Sequence, residues 1–274
     1  MVDELEVLVV DDGSESPTEV SSAVDRHRAT LIRRNGDGPA AARNTGARAA
    51  RGSYLCFTDD DCAPEAEWVE RLVDALRRGA DAAAGTTIAG AGALAEASEI
   101  VARAPVRATP DGTNVTFSPS NNLACTKAVF DATPFDESYP SAGGEDREWC
   151  ERLIASGHSL RFVPAARLVH HQELTPRGFL RQQARYGEGA FRFRRRGAVS
   201  RPLETPRFYL ALVQRGFERG FVVGLLVCAA QGATAVGFVR GWMKRGHRLV
   251  MSENGAPARS ARDSQRQQGQ RPRT

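Results

Sequence analysis

The amino-acid sequence predicts an α/β protein with a mostly parallel sheet that helices cover on both faces. Two observations support this fold class. Strand-like and helix-like segments alternate along the first 80 or so residues, and two of the predicted strands end in clusters of Asp. Such alternation is typical of parallel sheets with crossover helices. Because ligands of these sheets bind beyond the carboxyl ends of the strands, the Asp clusters are the first candidate site.

The predicted strands are short apolar runs that end at acidic or turn-forming residues. Leu5–Val10 is followed by Asp11-Asp12-Gly13-Ser14, Ala29–Arg33 is the second strand, and Tyr54–Thr58 leads into three consecutive Asp residues. Asp is a poor strand former, so each acidic cluster marks the end of a strand. Both clusters are therefore expected to face one crevice.

Helices are predicted between and after these strands. Pro17–Arg26 is the first, and Gly38-Pro39 opens an Ala-rich second helix with Pro in a tolerated first-turn position. Pro64–Arg78 is the third, with Trp68 and Leu72 on one apolar face. The helices thus alternate with the strands as the fold class requires.

Composition is that of a soluble globular protein, but charge is unevenly distributed. Of 274 residues, 41% are hydrophobic and 26% charged, and five Cys without a CxxC pair favour a reduced, cytosolic setting. Residues 1–176 hold 17 basic and 28 acidic side chains, whereas residues 177–274 hold 20 basic and 5 acidic ones. The basic part is expected to meet phosphate, in lipid headgroups or nucleic acid. Aromatic residues are only 7% and no nucleic-acid module is visible, so no nucleic-acid partner is expected.

Clustered carboxylates at two strand ends are compatible with a divalent cation. Mg²⁺ and Mn²⁺ prefer carboxylate oxygen and often also bind substrate phosphate. The alternative is a pair of solvated acidic turns, which the residues alone leave open.

Five segments in order resemble the family 2 nucleotide-sugar glycosyltransferases. They are VVDDGS, GPAAARNTGARAARGSYLCFTDDDCAPEAEW, SNNLACTK, GGEDREWCERLIASGHSLRFVPAARLVHH and RQQARYGEGAF, between about residues 5 and 193. The resemblance implies a GT-A fold with a Rossmann-like sheet over residues 1–195. Within it, residues 1–85 would be the nucleotide-binding half and 86–195 the acceptor half.

The resemblance assigns the donor nucleotide to residues of the first half and one later Asn. Asp12 would accept from the base edge, and Arg43 would help to hold the nucleotide. Asn122 would line the donor pocket. The alternatives are a solvent-facing helical Arg for Arg43 and turn chemistry for Asn122.

The Asp triplet matches the family's DxD motif. Asp59 would touch the ribose, and Asp60, at the variable position, is grouped with the donor-binding residues without a ligand role. Asp61 would ligate Mn²⁺ or Mg²⁺ together with His170, which is favoured over the adjacent His171.

Glu145 and Asp146 follow Gly143-Gly144 at the start of a predicted helix. By resemblance, Asp146 would be the catalytic base of an inverting enzyme and Glu145 would orient the acceptor. A single base is what direct displacement by an acceptor hydroxyl requires. Ordinary helix capping is the alternative for both residues.

The C-terminal part is predicted as a basic and apolar helical extension. Gly220–Val239 has nearly the length of a membrane span, but its glycines and flanking Arg residues leave a span and an interfacial or buried helix pair equally open. Residues 196–250 are therefore predicted to associate with an anionic membrane, and residues 251–274 to be disordered. The expected location is cytoplasmic, at the inner face of the cell membrane.

Two functions follow from these expectations. The first is a metal-dependent inverting glycosyltransferase that moves a sugar from a UDP- or GDP-type donor to a hydroxyl of a lipid carrier, polysaccharide or small metabolite. The second is a truncated, non-catalytic member acting as a membrane-surface scaffold. It is suggested by the N-terminus, where only Met1–Glu4 precede the first strand, whereas the family usually has one more strand and helix there. The true start is accordingly expected upstream.

Overall fold

The computed structural model describes residues 4–195 and 203–253, with side chains described as far as Lys244. Within these ranges lie seven strands, nine α-helices and a short 3-10 helix at Ser120–Asn122. The strands are β1 (Leu8–Asp11), β2 (Thr30–Arg33), β3 (Tyr54–Phe57), β4 (Cys62–Pro64), β5 (Ala82–Ala89), β6 (Leu123–Thr126) and β7 (Leu160–His170). The helices are α1 (Pro17–His27), α2 (Pro39–Ala49), α3 (Trp68–Arg77), α4 (Ala93–Arg103), α5 (Lys127–Ala132), α6 (Glu145–Ala155), α7 (Pro176–Arg195), α8 (Pro206–Arg219) and α9 (Phe221–Glu253).

The first three strand–helix units are confirmed, with small shifts at their ends. β1 begins three residues later than predicted, and α2 starts at Pro39 directly after Gly38, whose φ of 99° few other residues adopt. α3 begins at Trp68 rather than Pro64. The reason is that Cys62–Pro64 form β4, which pairs with β7 before the helix can start.

The strands form two sheets rather than one mostly parallel sheet, so that part of the prediction is wrong. β1 and β2 form a parallel two-stranded sheet, and the other strands form a five-stranded sheet in the order β3-β6-β5-β7-β4. In the larger sheet only β5 and β7 are parallel, and the other three pairs are antiparallel. The long connections through α4 and α5 let strands return in either direction, which a local alternation of strands and helices cannot reveal.

Apolar layers cover both faces of the five-stranded sheet. One contains Phe130, Phe135 and Trp149 from α5, α6 and the loop between them. The other contains Trp68 and Leu72 of α3, on the face predicted to be apolar. These layers fix the strand ends where the acidic residues lie.

The predicted helical C-terminal extension is confirmed as far as Glu253, and the rest of the tail lies outside the described residues. α9 packs along α7 so closely that their backbones touch: a Cβ added at Gly237 would overlap the carbonyl oxygen of Ala184. Residues Phe221–Lys244 of this helix are long and apolar enough to cross a membrane by length and composition, with mean hydropathy 2.0. Only 28% of the most apolar stretch is buried against the protein.

Candidate active site

Asp12 joins the end of β1 to the start of α2. Its carboxylate accepts hydrogen bonds from the backbone N–H groups of Gly38, at 2.6 Å, and Asp37, at 3.2 Å. The Arg34 guanidinium lies 3.4 Å away. Asp12 therefore stabilises the loop that precedes α2. This helix carries Arg43 close to the Asp triplet after β3.

Arg43 links two acidic clusters that are far apart in sequence. Its guanidinium contacts Asp59 Oδ1 at 3.0 Å and Glu145 Oε1 at 3.3 Å. The Arg43 side chain is 14% exposed and that of Glu145 only 4%. Although burial lowers the pKa of Arg43, the charges of Asp59, Glu145 and Asp146 raise it further, so the guanidinium is permanently charged. These four residues are called the Arg43 cluster below.

Glu145 and Asp146 occupy the first turn of α6, and each has a distinct environment. Glu145 Oε2 accepts the backbone N–H of Gly143 at 2.7 Å, which fixes the side chain across the turn. Asp146 Oδ1 accepts the backbone N–H of Arg147, at 2.8 Å. Burial and the nearby Glu145 charge raise the pKa of Asp146 to about 7, even though Arg43 opposes the shift. Asp146 can thus gain and lose a proton near neutral pH.

A second cluster surrounds His170 at the end of β7. Its Nε2 lies 3.2 Å from Asp61 Oδ2, and its Nδ1 lies 3.5 Å from Glu99 Oε2 of α4. Burial lowers the pKa of His170, but hydrogen bonds to Asp61 and Glu99 outweigh it and raise the pKa to about 9. The residues His170, Asp61 and Glu99 are called the His170 cluster below.

The donor set of the His170 cluster fits a divalent cation. Ligand atoms about 2.1 Å from an octahedral ion stand about 3 Å apart, close to the 3.2 Å between Asp61 Oδ2 and His170 Nε2. The Asp61 side chain is 42% exposed, which leaves room for substrate oxygens or water. Cys62 also has its sulfur near Asp61 and His170, but Mg²⁺ and Mn²⁺ prefer carboxylate oxygen to a thiol.

The role assigned to Asn122 does not fit the structure. Asn122 is completely buried, accepts a hydrogen bond from Trp68 Nε1 at 2.8 Å, and lies 3.4 Å from the carbonyl oxygen of Ala166. These contacts link β7 to α3, and the buried Asn122 side chain has no exposed surface for a nucleotide-sugar donor. Asp60 is exposed, and His171 is exposed beside the better placed His170.

Two residues near His170 were missed by sequence reasoning. Glu99 comes from the middle of α4, and Asn121 places its Nδ2 3.4 Å from His170 Nδ1. Asn121 adjoins Asn122 in the same Asn pair, so the motif indicated the segment but not the residue. Glu99 had no signal, because a single Glu on a helix is usually solvated.

The arrangement defines a class of protein. Strand-end carboxylates face an acid pair at a later helix N-terminus, and an Asp–His pair suited to a cation lies beside them. This is the arrangement expected of a protein with the GT-A fold.

Comparisons with known proteins agree with this class. The family model for glycosyl transferase family 2 matches residues 2–137. The pre-mycofactocin glycosyltransferase of Mycobacterium tuberculosis is 34% identical over 203 residues, covering 68% of this chain and 42% of that protein. Glycosyltransferase AglE of Haloferax volcanii is 32% identical over 194 residues, covering 67% of this chain and 62% of that protein. The chain therefore spans between two fifths and two thirds of the length of these relatives.

A solved structure shows the same fold. The mannosyltransferase PcManGT from Pyrobaculum calidifontis, in complex with GDP-Man and Mn²⁺, superposes with a TM-score of 0.55 at 18% identity, covering 92% of this chain and 71% of that one. The chain belongs to glycosyltransferase family 2, and the GT-A fold predicted for it is confirmed.

Proposed function

We propose that this protein is a metal-dependent inverting glycosyltransferase that moves a sugar from a nucleoside diphosphate to a hydroxyl acceptor. The observation that carries the proposal is the double contact of Arg43 with Asp59 and Glu145. It joins the predicted donor end of β3 to the predicted acceptor end of α6. Asp12 and Arg43 are then on the donor side, and Glu145 and Asp146 are on the acceptor side.

Asp146 is the proton acceptor in this proposal. The acceptor hydroxyl attacks the anomeric carbon, its proton passes to the Asp146 carboxylate, and the bond to the nucleoside diphosphate breaks on the opposite face. A base is most effective when its pKa is near the working pH, which suits a carboxyl with a pKa of about 7. Glu145 is fixed by Arg43 and Gly143 and so keeps the turn that presents Asp146.

Asp61 and His170 would hold the divalent cation. When bound, Mn²⁺ or Mg²⁺ offsets the negative charge of the diphosphate. Asp59 remains engaged with Arg43 and is positioned to orient the ribose. A UDP- or GDP-type donor is proposed in keeping with the GDP-Man of the structural neighbour. The acceptor is a hydroxyl of a lipid carrier, a polysaccharide or a small metabolite.

The test is calorimetry of GDP and UDP binding, with Mn²⁺, with Mg²⁺ and with EDTA. Binding that requires the cation, and that Asp61→Asn weakens strongly because a charged ligand is lost, supports the proposal. Asp74→Asn is the matched control, since Asp74 is an exposed carboxylate of α3 that pairs with Arg78 outside the proposed site. Equal binding in EDTA would remove the cation from the proposal, and binding without any transfer to a range of hydroxyl acceptors would favour the scaffold function.

We also propose that the C-terminal helices associate with the cytoplasmic face of an anionic membrane. One face of α9, with Val227 and Ala230, is buried, while the opposite face is apolar and exposed. That exposed face consists of Phe221, Val222, Leu225, Val236, Val239, Trp242 and Met243. Arg215 and Arg219 precede it, and Arg240 and Lys244 lie near its C-terminal end, so headgroup phosphates would meet positive charge at both ends.

Trp242 provides a direct probe of this membrane contact. It is 63% exposed, whereas Trp68 and Trp149 are 4% and 0% exposed, so a change in fluorescence on adding vesicles reports on α9. With phosphatidylglycerol vesicles at low salt we expect a blue shift that salt reverses for a surface-bound helix and does not reverse for a spanning one. Leu225→Glu should abolish the shift, and Ile154→Glu, at another exposed apolar position, should not. An unshifted wild-type spectrum would contradict both versions.

A further inference from the structure

Glu99 is a largely buried carboxylate that the proposed mechanism does not use. Its side chain is only 12% exposed, and its Oε1 has no hydrogen-bond partner among the described residues. Its Oε2 lies 3.5 Å from His170 Nδ1, on the side of the ring opposite Asp61. A buried carboxylate is costly unless it is paired, so its place beside His170 calls for a physical reason.

The two nitrogens of the His170 ring would have different partners in the proposed metal site. If Nε2 is to give its lone pair to a cation next to Asp61, the ring proton must be on Nδ1. A proton on Nδ1 needs an acceptor, and Glu99 Oε2 is a carboxylate oxygen within reach. Carboxylate partners of this kind orient metal-binding His rings and make them better ligands.

Asn121 offers the competing arrangement. Its Nδ2 lies 3.4 Å from the same Nδ1, while its Oδ1 is near the Thr87 hydroxyl at 3.5 Å. An amide N–H would donate to an unprotonated Nδ1, and the ring proton would then be on Nε2, where it faces Asp61 and not a cation. The two arrangements exclude each other, and only the one with Glu99 leaves Nε2 free.

We infer that Glu99 is a positioning residue that keeps the His170 proton on Nδ1 and thereby directs Nε2 towards a divalent cation shared with Asp61. This inference rests on the proposed metal-dependent function. It adds a residue from α4, outside every motif of the sequence, to the support of the metal site. α4 also packs against α7, α8 and α9, so the helix that carries Glu99 is held in place by the C-terminal helices.

The test measures Mn²⁺ affinity by electron paramagnetic resonance, and nitrogen ligation by pulsed resonance of the bound ion. We expect Glu99→Ala to weaken Mn²⁺ binding by about 10- to 100-fold and to diminish the nitrogen coupling of His170. Glu99→Gln keeps the size and an acceptor oxygen but loses the charge, so it should fall between wild type and Glu99→Ala. Because it is nearly isosteric, it also tests the inference if Glu99→Ala does not fold.

Two control variants separate the possible outcomes. Glu96→Ala removes a carboxylate of the same helix that pairs with Arg219, and it should leave Mn²⁺ binding and nitrogen coupling unchanged. If Asn121→Ala weakens Mn²⁺ binding and the Glu99 variants do not, Asn121 positions the ring and the inference is wrong. A wild-type protein that binds Mn²⁺ with nitrogen coupling, alongside unaffected Glu99 variants, overturns only this inference. A wild-type protein that binds no Mn²⁺ overturns the inference and the metal dependence of the proposed function together.

Discussion

The Arg43 cluster and the His170 cluster both group carboxylates around a basic side chain. They differ in which side chain titrates: a carboxyl in the first and the imidazole in the second. The Arg43 cluster sets three carboxylates around one guanidinium, and its proton is retained on Asp146, with a pKa of about 7. The His170 cluster sets two carboxylates around one imidazole, and its proton is retained on His170, with a pKa of about 9. In each cluster this proton offsets part of the negative charge of the neighbouring carboxylates.

The difference indicates what each cluster can exchange. Arg43 cannot give up its proton, whereas Asp146 titrates near neutral pH, and its ionised form can take a proton from an acceptor hydroxyl. His170 can lose its proton to become a ligand, so its cluster can exchange that proton for a divalent cation. One cluster is suited to base catalysis and the other to binding a metal, although both contain carboxylates in a crevice.

Replacement of the base should have the largest effect. Asp146→Asn keeps the size of the side chain but cannot take a proton, so transfer should fall by at least about 100-fold while donor binding stays nearly unchanged. Initial rates of nucleoside diphosphate release and calorimetric donor binding measure the two quantities. Glu148→Gln is the control, because Glu148 lies on the same helix and pairs with Arg152 instead. Transfer at the wild-type rate would remove Asp146 from the mechanism.

Loss of the Arg43 guanidinium should destabilise the protein. Arg43→Met leaves Glu145 buried without its charged partner, which typically costs about 3 kcal/mol in the free energy of unfolding. Arg48→Met, on the same helix, removes an exposed pair with Glu137 and should cost less than about 1 kcal/mol. Urea unfolding of the three proteins gives the comparison. Similar losses in the two variants would mean that Arg43 does not balance the buried charge.

The pH dependence should shift in a predictable direction. Transfer should rise with pH through about 7, because Asp146 accepts a proton only in its ionised form. Glu145 raises the pKa of Asp146, so Glu145→Gln should move the rising limb of kcat/KM to lower pH. Each pH profile of kcat/KM is normalised to its own plateau, so that the midpoint pH can be compared even if the variant is slower. A midpoint that stays or moves to higher pH would contradict the charge interaction between the two carboxyls.

Much of the site was predictable because its residues belong to local patterns. The ends of β1 and β3 were marked by acidic residues after apolar runs, and the start of α2 by Gly38-Pro39. The proposed roles of Asp61, His170 and Asp146 rested on resemblance to a family, and the structure adds their geometry. It places Asp61 and His170 within 3.2 Å of each other and gives Asp146 the environment of a group that titrates near neutrality.

The sequence by itself determined three strands and three helices within residues 5–78 and the residue types at the ends of those strands. Periodicity and turn chemistry act over a few residues, so they are readable along the chain. Only the tertiary structure decided the antiparallel pairs of the larger sheet, the burial of Asn122 and the contact between Arg43 and Glu145, 102 residues apart. It alone also placed Glu99 beside His170. These features depend on which distant groups the folded chain brings together, and pairing of buried charges is decided by that proximity and by the removal of water around it.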